Sequence, residues 1–181
     1  MRIRHWQKYL LLFFAILCSL PSILNHVNYN NLENLLVQKQ WLKADRETTE
    51  LMLKISERKM HGYIDDNSFK RIHCQDLNRI NSFWLKYSRN HFGFTIQKEI
   101  LDDLMTYYHG DFDTVFEKFA DRVGWIVRND TYQYPDLKFN LDAPKGELPS
   151  FDWMMNTTLT GYPWNWQGKY LFDRITECRI K

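Results

Sequence analysis

Apolar residues recur every three or four positions from Leu32 to Val123, and this spacing admits helices and little else. Leu32, Leu35 and Leu36 open the pattern. Beyond Gln40 and Trp41, the residues Ala44, Thr48, Leu51, Met52 and Ile55 follow at i, i+4, i+7, i+8 and i+11, which places them on one helical face. Asp45, Arg46, Glu47, Glu50 and Lys54 fall on the opposite, charged face. A further stretch carries Leu77, Ile80, Trp84 and Tyr87, with Asp76 as the expected N-cap. Thr95 is the expected cap of a helix bearing Ile96, Ile100, Leu101 and Leu104. Asp111 or Asp113 is the expected cap of one bearing Val115, Phe116, Phe119 and Val123 that ends at Gly124. The expected class is mainly α, a compact helical domain.

The segments between these helices read as polar or irregular. Asn25 to Asn31 has the composition of a linker. Met60 to Cys74 reads as a loop, because Gly62, Asp65, Asp66, Asn67 and Ser68 supply turn chemistry. Tyr63, Ile64, Phe69 and Ile72 are scattered through it, and apolar side chains on a loop must cover either the core or a bound partner. Beyond Trp125, Pro135, Pro144, Pro149, Gly146 and Gly161 argue for irregular or very short elements. Three regions follow: a basic start, apolar segment and linker over 1–30, a helical domain over 31–149, and an aromatic-rich extension over 150–181.

The first region is membrane-directed. Arg2, Arg4 and Lys8 precede Tyr9 to Leu24, 16 residues that are almost purely apolar. As a helix they would reach about 24 Å, short of a hydrocarbon core of about 30 Å. A membrane anchor, a cleaved signal peptide and lipidation at Cys18 compete for this segment. Bulky Leu17 weighs against lipidation, and the scarcity of small residues around Ser19 and Ser22 weighs against cleavage. With its basic residues first, the positive-inside rule would put the N-terminus inside and the domain outside. A monotopic anchor would carry no such orientation.

Several function classes lack their residues. The net charge of +2 gives no concentrated basic face for nucleic acid. Cys18, Cys74 and Cys178 are odd in number, widely separated and without CxxC spacing, so neither a disulfide framework nor a zinc site is expected. No GxSxG, P-loop, HExxH or GxGxxG motif is present. Asp111-x-Asp113 opens like a calcium loop, but Phe116 occupies the position that needs glycine and no Glu closes it. A non-enzymatic role is expected. Seven Trp, ten Tyr and twelve Phe are sufficient for a core and would equally serve a planar apolar ligand.

Three stretches, taken together, resemble one family. They are Trp41-Leu-Lys-Ala-Asp45-Arg-Glu-Thr48 running into Leu51-Met-Leu-Lys-Ile55; Cys74-Gln-Asp76-Leu77 to Trp84 with Phe92-Gly93-Phe94-Thr-Ile-Gln97; and Phe119 to Trp125 with Phe139-Asn-Leu141-Asp-Ala143-Pro144-Lys-Gly146-Glu-Leu148-Pro149. Their order and spacing resemble the genomes-uncoupled-four domain over about 32–149, with FGFxxQ combined with AP-x-G-x-LP the most specific part. That family binds protoporphyrin IX and magnesium protoporphyrin IX and stimulates magnesium chelatase in chlorophyll biosynthesis. The resemblance implies an all-α fold with a concave apolar surface. By matched position, Met52, Ile55, Tyr63, Ile72, Phe139 and Leu141 would meet the tetrapyrrole. Arg71, Arg79, Lys138 and Lys145 would meet its propionates at the rim, while Gly93 and Gly146 would serve tight turns. The implied partner is the large subunit of magnesium chelatase, and the implied location a membrane of an algal plastid or cyanobacterium. Chelatase works on the stromal or cytosolic side, which conflicts with an outward-facing domain. The tail, with Trp153, Tyr162, Trp164 and Trp166, departs from the cyanobacterial chelatase regulators, and its ending, Leu171-Phe-Asp-Arg174-Ile-Thr-Glu-Cys178, resembles paralogues in multidomain cyanobacterial proteins. The rival expectation is therefore an interaction or signalling module that keeps the fold without the ligand.

Overall fold

The protein is described by a computed structural model over residues 27–125, 127–128, 131–132, 137–150 and 164–181. Seven α-helices stand among the described residues: α1 (Asn30–Val37), α2 (Trp41–Ile55), α3 (Asp66–Arg71), α4 (Cys74–Ser88), α5 (Phe94–Tyr108), α6 (Phe112–Arg122) and α7 (Trp164–Glu177). Between α6 and α7 a two-residue antiparallel ladder joins β1 (Val127–Arg128) to β2 (Thr131–Tyr132), with Val127 opposite Tyr132 and Arg128 opposite Thr131. The class is mainly α. No described helix is long and apolar enough to cross a membrane; residues 9–24, the expected membrane segment, lie outside the described residues.

α1 packs on α2 and α4, α5 on α6, and α7 against α3, α5 and α6. Two aromatic clusters organise the core. In one, Trp41 stacks on Trp84 at a centroid distance of 6.1 Å, and Phe92 meets both edge-on. In the other, Phe112, Phe116 and Phe119 stack in series at 5.2 and 5.3 Å, and Trp125 and Phe172 close on Phe119 edge-to-face. Offset and edge-on ring contacts of this kind add about 0.5–1.5 kcal/mol each beyond area burial.

Helix starts depart from the expected caps in instructive ways. α4 begins at Cys74, and Asp76 sits inside its first turn, where a carboxylate suits the helix dipole. There it accepts the Tyr29 hydroxyl at 2.6 Å. α5 begins at Phe94, and Thr95 is no cap. Asn81 of α4 supplies the missing groups from across the interface: its carbonyl accepts the Thr95 N–H at 3.0 Å, and its amide donates to the Thr95 hydroxyl at 2.8 Å. Asp111 does cap α6, accepting the Thr114 N–H at 3.0 Å, and this lowers its carboxyl pKa. α1 starts at Asn30, inside the expected linker.

Four further expectations are corrected. The 60–74 loop contains α3, capped by Asp65 through the Ser68 N–H, and its Ile64, Phe69 and Ile72 cover the core. Asp45 is fully buried on α2 instead of lying on its charged face. Cys74 and Cys178 form a disulfide, which their 104-residue separation conceals in the sequence. The stretch beyond Trp125, expected to hold irregular or very short elements, contains the 14-residue α7, whose Leu171, Phe172 and Ile175 are buried in the same core as α3 and α6.

Candidate functional site

The two halves of the FGFxxQ and AP-x-G-x-LP pattern form one hydrogen-bonded unit. The Gly93 N–H donates to the Leu148 carbonyl at 2.9 Å, and the Gly146 N–H donates to the His91 carbonyl at 3.0 Å. Gln97 is buried and its amide nitrogen donates to the carbonyls of Gly146 (2.9 Å) and Pro149 (2.8 Å). The His91 ring Nε2 stands 2.8 Å from the Ala143 carbonyl, and the Trp125 indole donates to the Glu147 carbonyl at 2.8 Å. Gly146 has φ +84°, a region side chains avoid, and a Cβ there would meet Ile100 at 3.0 Å. Each of these bonds gives a backbone carbonyl the partner that burial demands, from a backbone N–H or from the side chain of Gln97, His91 or Trp125.

The unit holds up the loop over 137–147. The Glu147 carboxylate, 1% exposed, accepts the N–H groups of Lys138 and Phe139 at 3.2 Å. Burial raises its pKa, and the two backbone donors and the Lys138 charge only partly offset this. Clamped from below, the loop turns Lys138, Leu141 and Lys145 to solvent, with Leu141 39% exposed and Phe139 half-buried. Phe139 adopts φ +49°, a left-handed conformation that the Glu147 clamp helps to hold.

A second set of loop residues surrounds Tyr63. The Arg58 guanidinium lies 4.7 Å from the centre of the Tyr63 ring, its Nε donates to the Tyr63 carbonyl at 3.2 Å, and it pairs with Asp65 at 3.3 Å. Burial opposes ionisation of Asp65, but the Ser68 hydrogen bonds and the charges of Arg58 and Arg71 prevail and lower its pKa. Tyr63 is half-buried, with the His61 ring edge-on at 6.4 Å.

The residues expected at the site therefore divide. Lys138 and Phe139 are brought together by Glu147, and Leu141 and Lys145 share their loop. Ile55 and Tyr63 keep partly open surfaces, and Arg71 is exposed, its Nη2 donating to Ser68 Oγ at 2.9 Å. Arg79 is exposed but engaged: its guanidinium lies over the Tyr29 ring at 5.3 Å. Met52 and Ile72 are fully buried in the core. Ile72 offers only its carbonyl, which accepts from Arg174 at 3.1 and 2.6 Å. Sequence reasoning missed Arg58, Glu147 and Arg174. Glu147 lies inside the motif as an unassigned position, whereas nothing in the local sequence marks the other two.

One concavity among the described residues is of a different kind. A groove between α3 and α7 is lined by Asp66, Phe69, Lys70, Tyr170, Arg174 and Glu177, among others. Its cations are paired with carboxylates, Lys70 with Asp66 at 2.6 Å and Arg174 with Glu177 at 2.8 Å. Among the described residues, no three His, Cys, Asp or Glu side chains are grouped to hold a metal ion.

Comparison with known proteins fits this architecture. A protein from Arabidopsis thaliana named tetrapyrrole-binding protein, chloroplastic, is 32% identical over 143 residues, 72% of this chain and 51% of that one. The ycf53 protein of Porphyra purpurea is 29% identical over 126 residues, 68% of this chain and 50% of its own length. The chain thus spans about half the length of the curated relatives it matches. The solved structure of GUN4 from Chlamydomonas reinhardtii superposes with a TM-score of 0.64 at 23% identity, covering 90% of this chain and 96% of that one. The ligand-free structure of Arabidopsis thaliana GUN4 gives 0.61 at 25% identity, covering 83% and 94%. The model of the GUN4-like family matches residues 23–164, a span that includes the whole FGFxxQ and AP-x-G-x-LP unit, and the chain belongs to that family.

Proposed function

We propose that the chain binds protoporphyrin IX or magnesium protoporphyrin IX without catalysis, as a porphyrin carrier or sensor that stimulates magnesium chelatase through its large subunit. The observation that carries this reading is the intact motif unit, which presents Phe139 and Leu141 beside Lys138 and Lys145 on one braced loop. A tetrapyrrole needs this combination, because its flat face must leave water while its propionates keep cationic partners. The name of the Arabidopsis relative, tetrapyrrole-binding protein, supports the same reading. The reading places the protein in an algal plastid or cyanobacterium, associated with a membrane through residues 9–24.

Titrating the full chain with each porphyrin while following tryptophan fluorescence tests the proposal. Saturable quenching in the micromolar range is expected. Absence of saturation there would remove tetrapyrrole binding.

One observation favours a second reading, an interaction module of the same fold without the ligand. Met52 and Ile72, two of the apolar positions matched to the family's ligand surface, are enclosed in the core. That module would leave the porphyrin titration flat and would capture a specific protein partner instead.

A further inference from the structure

The C-terminal helix is held at its two ends by different means. Toward its start, Gly168 lies so close to α6 that a Cβ would fall 2.3 Å from Phe116 Cζ, and Leu171 and Phe172 are fully buried just beyond. At its end, Ile175 is the last buried side chain. The last turn is fastened further by the Cys74–Cys178 disulfide, by the Arg174 guanidinium, which donates twice to the Ile72 carbonyl, and by the partly buried Ile180 beyond it. Arg174 also pairs with Glu177 at 2.8 Å. Both cysteines are half-buried and sit at element ends, Cys74 opening α4 and Cys178 just past α7. The disulfide therefore lies at the rim of the core and not inside it, the position from which thiol exchange does not require the core to unfold.

We propose that Cys74–Cys178 is a thiol-exchange site, a latch that a dithiol reductant opens to free the end of α7 from the Ile72–Cys74 segment. One thiolate of the reductant attacks a sulfur of the pair, the S–S bond breaks, and the departing cysteine takes up a proton. The second thiol of the reductant then displaces the other cysteine. The products are two cysteine thiols and the reductant's own disulfide, so electrons and protons balance. The start of α7 stays docked through Gly168, Leu171 and Phe172. Arg174's hydrogen bonds and the half-buried Ile180 are then what hold the terminal turn, and that turn frays.

Hydrogen exchange on the full, oxidised chain, with and without dithiothreitol, tests the latch without any porphyrin, so its outcome is separate from that of the tetrapyrrole reading. Reduction should free two thiols on the folded protein. It should also speed exchange about tenfold or more at the amides of Cys178 and Ile180, which bond to the Arg174 and Ile175 carbonyls, while the middle of α4 and α6 stays protected. Cys178→Ser should show the fast pattern with no reductant present and should not respond to it. The latch is overturned if the disulfide yields only when the whole chain unfolds, if exchange accelerates equally through α4 and α6, or if Cys178→Ser exchanges like the oxidised wild type.

Discussion

The buried carboxylate of Asp45 accepts both the amide N–H and the hydroxyl of Ser150, at 2.6 Å each, across 105 residues of chain. The first long helix is thereby tied to the residue that follows the Ala-Pro-Lys-Gly-Glu-Leu-Pro turn. Burying a carboxylate is costly unless its lone pairs are filled by good donors, and two charge-assisted bonds fill them here. Asp45→Ala would leave both Ser150 donors buried and unpaired, and a loss of about 3 kcal/mol is expected. Ser150→Ala, which keeps the amide bond, should lose only about 1 kcal/mol. Urea unfolding of the two variants measures the difference, and equal losses would show that the hydroxyl and not the amide carries the tie.

Glu147 gives the fold a pH dependence whose sign can be worked out. Burial raises its folded pKa above the ordinary carboxyl value of 4.5, so the folded state binds the carboxyl proton more tightly than the unfolded chain does. Stability from this group is therefore present below about 4.5 and is lost as pH rises from there through the raised folded value. Glu147→Gln removes the titration. The stability of wild type relative to the variant should fall across that window and become level above it. A difference that rises with pH would mean that the Lys138 and Phe139 donors outweigh burial.

Gly168 and Phe116 make a third prediction. Phe116 is fully buried and stacked between Phe112 and Phe119, so it cannot swing away from a methyl group 2.3 Å distant. Gly168→Ala gains up to about 1 kcal/mol of helix propensity, while overpacking costs about 1–3 kcal/mol. A net destabilisation of about 1 kcal/mol is expected in thermal or urea unfolding, with α7 losing hydrogen-exchange protection first. A neutral or stabilised variant would show that α7 docks less closely.

What the sequence disclosed follows from the range of the interactions concerned. Periodicity marks α2, α4 and α6 because a face such as Leu51 and Met52, or Phe116 and Phe119, repeats every turn whatever its partner. A cap at Asp111 or Asp113 is legible because the donor that Asp111 meets, Thr114, is three residues away. Asn81 capping α5, Asp45 holding Ser150 and Cys74 meeting Cys178 are through-space events between residues 14, 105 and 104 positions apart. No local rule carries them. The site divides in the same way. Lys138, Phe139, Leu141 and Lys145 share the loop that the motif marks, but the enclosure of Met52 and Ile72 depends on the core packed around them, and a helical period does not say which side of a face stays open.

The loop over 137–147 makes the sharpest test of the proposed ligand. Lys138 and Lys145 are exposed and outside the core, so reversing their charge should spare the fold. If they meet the two propionates, Lys138→Glu combined with Lys145→Glu should weaken protoporphyrin IX binding about tenfold or more, equivalent to about 1.4 kcal/mol. The wild-type affinity should itself fall with added salt, because exposed charges separated by more than about 10 Å are screened at 0.1 M. Lys118→Glu on the exposed side of α6 controls for net charge and should change little. Phe139→Ala separates the apolar contribution: a ring lying against the macrocycle contributes through buried area, so its loss should be insensitive to salt. If charge reversal changes nothing while Phe139→Ala weakens binding, the macrocycle meets the loop by its face, with the propionates directed elsewhere. Should neither variant differ from wild type, the porphyrin does not use this loop, and the proposal that Phe139, Leu141, Lys138 and Lys145 form the site fails.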